Sequence, residues 1–283
     1  MYGITERKVR FGELAGALVG GPAWFDWQLI ATQTVVEAFG FPFEEILADD
    51  GIPFAPVAVG TSVERYPTVG ESVAVHVVPV DVGETSVELL YEVEDGTGEL
   101  LATARMTHVT IGAGGDSLPL PETVRSNVRD AQVDRSPSVG PDESDECEDG
   151  DRPLASFESA TRIRRPHSEG ADLAYFEEYP RLADVALEEH LESRGTPLGE
   201  LRGPTEPFRP RDWRWSFRSP VPYESTLRVT CDVLAADAGT VRVAHTFTSD
   251  GEVSIEGVTE YGCFDRSGEP VAFDDAALTA LAE

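Results

Sequence analysis

The pattern Arg-x-Pro-x-x-x-Glu-Ser occurs twice in this chain, at Arg65–Ser72 and at Arg218–Ser225, with every matched residue displaced by 153 positions. Each copy runs straight into an apolar-polar alternation, Val73-Ala-Val-His-Val-Val78 in the first and Thr226-Leu-Arg-Val-Thr-Cys231 in the second. Recurrence at one offset marks a repeated unit, so the sequence predicts an internal duplication and two similar halves. Period-two alternation predicts strands with one buried face.

The flanks of the repeat agree in order. A strand opens each half, at Lys8–Phe11 and Ala160–Ile163, and a polar, glycine-bearing turn follows. A helix comes next, over Trp24–Phe39 and over Tyr175–Ser193. Gly40 and Gly195 stand where a glycine stops a helix. Pro180 is expected to bend or interrupt the second helix. Phe25, Leu29, Thr32, Val36 and Phe39 share one helical face, the pattern of core packing. Four strands are then predicted per half, about Phe54–Tyr66, Glu71–Val80, Ser86–Glu94 and Leu100–Ile111, and about Asp212–Ser219, Ser225–Leu234, Thr240–Thr248 and Glu252–Phe264. Asp95-Gly96 and Asp250-Gly251 are hairpin signals, and short loops favour antiparallel pairing. Between the halves, residues 117–152 are rich in Pro, Ser, Asp and Glu and read as an acidic linker. The expected organisation is therefore residues 1–116, a linker 117–152, and residues 153–283, in the α+β class.

Charge excludes some partners. Asp and Glu number 52 against 22 Lys and Arg, a formal net charge of -30, and Lys8 is the only lysine. Such a polyanion repels nucleic acid and anionic membrane. The acids are spread along the whole chain, the pattern of a protein adapted to a salt-filled, halophilic cytoplasm. A binder of basic proteins is the competing reading. The chain has no apolar run long enough for a membrane span and opens without an apolar signal core, so a soluble, cytoplasmic protein is expected. Cys147, Cys231 and Cys263 are widely spaced, and the five histidines form no HxH or HExxH pattern. Neither a disulfide framework nor a metal site is expected.

One strand, a turn, a long helix and an antiparallel meander resembles the hotdog fold, in which a sheet wraps the helix. The residues resemble the acyl-CoA thioesterase branch, which includes 4-hydroxybenzoyl-CoA thioesterases. The matching stretches are Val9-Arg-Phe-Gly12, the aromatic helix starts Trp24-Phe-Asp-Trp27 and Tyr175-Phe-Glu-Glu178, and Arg65-x-Pro67 with Gly70-Glu71 and Arg218-x-Pro220. Leu101–Val109 and Arg266–Phe273 complete the series. The resemblance implies two tandem hotdog domains in one chain, each a long helix wrapped by an antiparallel sheet, mimicking the usual dimer.

It also implies a chemistry. Thioester hydrolysis needs a carboxylate to attack or to activate water, and donors aimed at the developing oxyanion. In the family an Asp in the turn after the first strand supplies the former, and amides at the start of the long helix supply the latter. Here that turn reads Phe11-Gly12-Glu13-Leu14-Ala15, so Ala15 holds the catalytic position and Glu13 is an acid two residues earlier. Gly20, Gly21, Ala23 and Trp24 form the helix start; a plain tight turn with Pro22 near the first helical position suits the same residues. The second turn reads Arg165-Pro-His167-Ser-Glu169-Gly-Ala-Asp172. Aligned on Gly170, His167 takes the place of the family Asp; aligned on Tyr175-Phe176, Arg165 does. His167, Glu169 and Asp172 put one base and two acids in that loop. Solvated surface groups are the competing reading of Glu13 and His167 alike.

Coenzyme A carries phosphates, which makes the repeated Arg65 and Arg218 candidate CoA contacts. Arg202, Arg209, Arg211 and Arg214 form a further basic cluster, with pairing to carboxylates as the competing role. Trp213, Trp215 and Phe217 alternate with it, as on a strand with an aromatic core face. The expected activity is hydrolysis of an acyl-CoA thioester, with that thioester as substrate and no further cofactor. The alternatives are a catalytically degenerate hotdog protein that binds acyl-CoA or acts in assembly, and a hotdog enoyl-CoA hydratase, whose Asp-x-Asn-x-x-His loop is not found. A tandem chain supplies its own pseudo-dimer, and such units often associate again into homo-oligomers.

Overall fold

The computed structural model describes residues 2–112, 116–135, 152–168 and 172–282. The first half opens with β1 (Tyr2–Lys8), a single 3-10 turn at Phe11–Glu13 and a small ribbon of β2 (Leu14–Ala15) and β3 (Leu18–Val19). Helices α1 (Gly21–Ala38) and α2 (Phe43–Ala48) follow, then the meander β4 (Ile52–Val63), β5 (Ser72–Val82), β6 (Ser86–Asp95) and β7 (Leu100–Ile111), and helix α3 (Glu122–Ala131). The second half repeats this order with β8 (Ala155–Arg162), a 3-10 turn at Arg165–His167, α4 (Glu178–Ser193), α5 (Leu198–Leu201), β9 (Thr205–Phe217), β10 (Thr226–Ala236), β11 (Val241–Ser249) and β12 (Glu252–Asp265). A short β13 (Pro270–Val271) and helix α6 (Asp275–Ala282) close it.

All strands but the β2–β3 ribbon join one antiparallel sheet in the order β1-β5-β6-β7-β4-β9-β12-β11-β10-β8, with β13 beside β12. The halves meet where β4 pairs with β9, Ala58 opposite Ser216 through Ser62 opposite Asp212. Helix α1 packs on β1 and β5, α4 packs on β8 and β10, and the two helices touch. This is a tandem hotdog: two helices, each held by its own half of a continuous sheet. Among the described residues no helix is long and apolar enough to cross a membrane.

Both long helices end as the glycines require. Gly40 and Gly195 adopt left-handed φ values of 81° and 79°. Phe41 N donates to Val36 O and Thr196 N to Leu191 O, the bonds that close a Schellman motif and satisfy otherwise orphaned carbonyls.

Several boundaries differ from expectation. Helix α4 begins at Glu178, not Tyr175, so Pro180 falls in its first turn. There a missing N–H has no helical acceptor to lose, and the proline neither bends nor interrupts the helix. The opening strands lie earlier than predicted, at β1 and β8, and β9 starts at Thr205, because edge pairing with β5 and β10 and the pairing to β12 extend them. The segment read as a linker contains α3, whose Val124 and Val128, four residues apart, are buried with Ala131. Two valines on one face suffice to seat a polar helix on β5. Residues 136–151, with Cys147, lie outside the described residues.

Candidate functional site

Glu13 and His167 occupy equivalent places, each closing the 3-10 turn after the opening strand of its half. Arg10 N donates to Glu13 Oε2 at 2.6 Å, and Arg164 N donates to His167 Nδ1 at 3.2 Å. Glu13 also accepts from the Arg7 guanidinium and from Trp27 Nε1 (3.0 Å). Both side chains are therefore engaged in local turn closure, and Glu13 is further tied into an ion pair. Asp172 is exposed, with φ 55°, and its carbonyl accepts from Tyr223 N at 2.9 Å. It is held as a backbone turn residue and does not line the cavity described below. Glu169 lies outside the described residues.

The two helix starts have diverged. At the first, Gly20 N donates to Glu13 O (2.9 Å) and Ala23 N to Gly20 O (3.1 Å), while Trp24 is fully buried. A side-chain carbon added at Gly21 would lie 3.3 Å from Pro210 Cγ and 3.6 Å from Asp184 Oδ2. The start of α1 is thus covered by β9 and α4. The loop before it is knitted to the other half: Arg209 donates to Ala15 O, and Ala17 N donates to Glu206 Oε1 at 3.1 Å. Arg202 grips Glu206 with two hydrogen bonds of 2.7 and 2.8 Å. Burial opposes the Glu206 charge, yet Arg202, the Ala17 amide and Arg209 outweigh it and hold the carboxyl below its usual range. The basic cluster is thus largely paired with carboxylates, Arg214 with Asp212 included.

Asp184, which sequence reasoning did not single out, sits against this covered start. Burial pushes its carboxyl up to about 7, Glu188 adds repulsion, and Arg209 and Arg181 offset only part.

The start of α4 is open. A cavity of about 360 Å³ lies between the halves, walled by α1, α2 and the first residues of β4 on one side and by Leu173–Phe176, Tyr179 and Phe217 on the other. Its wall is mainly apolar and aromatic, with Phe43, Phe54, Phe176 and Phe217 in it; Gln33, Tyr175, Arg218 and Ser219 add polar groups. The alternation in β9 explains part of this: Trp213 and Trp215 are buried in the core, and Phe217, next on that face, reaches the cavity. The Tyr175 amide donates to His167 O at 2.8 Å and is already spent. The Tyr175 hydroxyl donates to Asp26 Oδ1 at 2.9 Å, a contact between the halves.

The repeated arginines have separated in role. Arg65 is 17% exposed and donates to Glu71 (2.9 Å) and Asp95 (3.1 Å), pinning the turn that follows β4. Arg65 is not among the residues that line the cavity described above. Arg218 is 59% exposed, pairs with Glu256 and lies at the cavity.

A buried thiol–imidazole pair elsewhere is not a nucleophile. Cys231 Sγ lies 3.3 Å from His245 Nδ1, but burial pushes the thiol up to about 12 and the imidazole down to about 3, so both are neutral. Among the described residues no group of three or more His, Cys, Asp or Glu side chains is placed to hold a metal ion.

No protein-family model and no curated protein matches the chain. Solved structures do. A provisionally assigned oleoyl thioesterase from Lactobacillus plantarum is similar at TM-score 0.74 and 13% identity, over 92% of this chain and 96% of that one. The 12:0-ACP thioesterase from Umbellularia californica is similar at TM-score 0.71 and 17% identity, over 91% and 96%. An acyl-ACP thioesterase from Bacteroides thetaiotaomicron follows at TM-score 0.68 and 12% identity, over 92% and 97%. At these identities the likeness establishes the fold over nearly the whole chain.

Proposed function

We propose that this chain hydrolyses an acyl thioester in the cavity at the start of α4. The observation that carries the reading is the cavity itself: about 360 Å³ of mainly apolar and aromatic wall between the halves, with Arg218 beside it. That volume falls within the ~300–1,000 Å³ of small-molecule sites, and its wall suits an acyl chain. Arg218 lies where it can meet an anionic carrier, coenzyme A in this reading; the acyl-CoA thioester is the substrate, free CoA is released, and no further cofactor is needed. The thioesterases of similar fold support the same chemistry.

The pseudo-symmetric place at the start of α1 is covered by Pro210 and Asp184 and crossed by the Arg209 and Glu206 contacts. One ligand per chain follows. A second reading, binding without hydrolysis, is favoured by one observation: Ala15 stands at the family's acid position, and Glu13 and His167 are engaged in turn closure. The net charge of -30 speaks for a small anionic ligand met locally by arginine, against nucleic acid and anionic membrane, and for a salt-rich cytoplasm as the setting. Further association through the edge strands β1 and β8 is part of the same proposal.

The test is a panel of acyl-CoAs of graded chain length in molar KCl, with released thiol read by a thiol reagent. Thiol release from at least one member is expected. A non-hydrolysable acyl-CoA thioether should titrate at one equivalent per chain. Thioether binding with no release from any member would establish the second reading.

A further inference from the structure

We propose that Asp26 is the carboxylate that activates water in this cavity and that Tyr175 is its positioning residue; the assignment rests on the thioesterase reading above. Leu29, Ile30 and Gln33 line the cavity from α1, and Asp26 stands three, four and seven residues before them on that helix. That spacing puts its side chain on the same helical face, although Asp26 is not itself part of the cavity wall and meets it through Tyr175. Tyr175, itself part of the cavity wall, donates its hydroxyl to Asp26 Oδ1 at 2.9 Å. The second oxygen, Oδ2, is ion-paired with Arg7 Nη1 at 4.0 Å, a separation too long for a hydrogen bond. An ionised carboxylate accepts about four hydrogen bonds, so a water can be held on it while the phenol fixes its orientation. The base thus comes from the first half and its positioning hydroxyl from the second, beside a cavity walled by both, which only the packed pair brings together.

The step balances with water as co-reactant. Asp26 takes a proton from water as the water oxygen bonds to the thioester carbonyl carbon, and the carbonyl π pair moves onto its oxygen. Collapse of the tetrahedral intermediate breaks the C–S bond. The proton held on Asp26 passes to the leaving sulfur, giving a carboxylic acid and a free thiol.

Steady-state hydrolysis of the best acyl-CoA by Asp26→Asn, Asp26→Glu and Tyr175→Phe tests this, beside the affinity of each for the acyl-CoA thioether. Asp26→Asn should lower kcat at least ~100-fold, the scale of general-base catalysis, with thioether affinity within about threefold of the parent. Asp26→Glu should recover part of the loss. Tyr175→Phe should lower kcat about 5–20-fold with KM little changed, the mark of a mispositioned base. An Asp26→Asn kcat within threefold of the parent, or a fall that merely tracks thioether affinity, overturns the assignment while the thioesterase reading stands. If Asp26→Asn does not fold, an unaltered kcat in Tyr175→Phe overturns it. A parent protein that cleaves no acyl-CoA overturns the thioesterase reading itself.

Discussion

Asp184, Glu13 and His167 show how environment, not residue type, decides a titratable group's role. Glu13 and His167 are an acid and a base in equivalent turns, and both are engaged with backbone amides. Asp184 lies on the second long helix, where sequence reasoning gave it no role, yet burial brings its carboxyl up to about 7. Because this value lies above that of an unfolded Asp, the folded state holds the proton more tightly. The stability from that preference is complete below about pH 4 and is lost as pH rises toward 7. Asp184→Asn should therefore melt like the parent at pH 4 and increasingly above it toward pH 7. The gain should be on the order of 2 kcal/mol, since one pKa unit is about 1.4 kcal/mol and the site is not sealed from solvent. A melting difference that does not change with pH would show that Asp184 is not held protonated.

At the scale of elements, the two helices were the most legible features. The apolar stripe of the first, the repeated order and the terminal glycines of both predicted place and ends, because capping and helical periodicity are local. Helix α3 was missed: its surface is polar, and its two valines become significant only against β5. Val128 is fully buried there. Val128→Ala is expected to cost about 1–3 kcal/mol, checked by urea denaturation, as truncation leaves a hole the surroundings only partly fill. An exposed partner on the same helix, Arg129→Ala, should change stability by less than about 0.5 kcal/mol. The repeated Arg-x-Pro element likewise predicted one turn twice. In the first copy Glu71 and Asp95 lock the arginine; in the second Arg218 pairs with exposed Glu256 beside the cavity. A repeated motif can thus retain its turn while its arginine changes partner.

At the scale of the molecule, β4 and β9 join two half-sheets into one and bring two helix starts near the opposite half. One start is closed by Pro210, Asp184 and the Arg202–Glu206–Arg209 contacts; the other opens on the cavity. The net charge of -30 is a whole-molecule property as well. Like charges within a Debye length, about 10 Å at 0.1 M salt and 3 Å at 1 M, repel in the compact state. The melting temperature should rise between 0.1 M and 2 M KCl, followed by circular dichroism. A flat or falling curve would count against adaptation to salt.

The α+β class, the two similar halves, both helix ends and the aromatic face of β9 were readable from residue order. Each depends on periodicity, turn chemistry or a repeat within a few tens of residues. The candidate site was much less so. Resemblance pointed to two turns and two helix starts; Glu13, His167 and Arg65 are engaged locally there, whereas Arg218 lies at the cavity. Asp26 meets Tyr175 across 149 residues of chain, and Asp184 meets Gly21 across more than that. No local pattern encodes such a meeting. Which helix start stays open is likewise settled by packing, because Pro210 and Arg209 reach the first one only once β9 is paired beside β4.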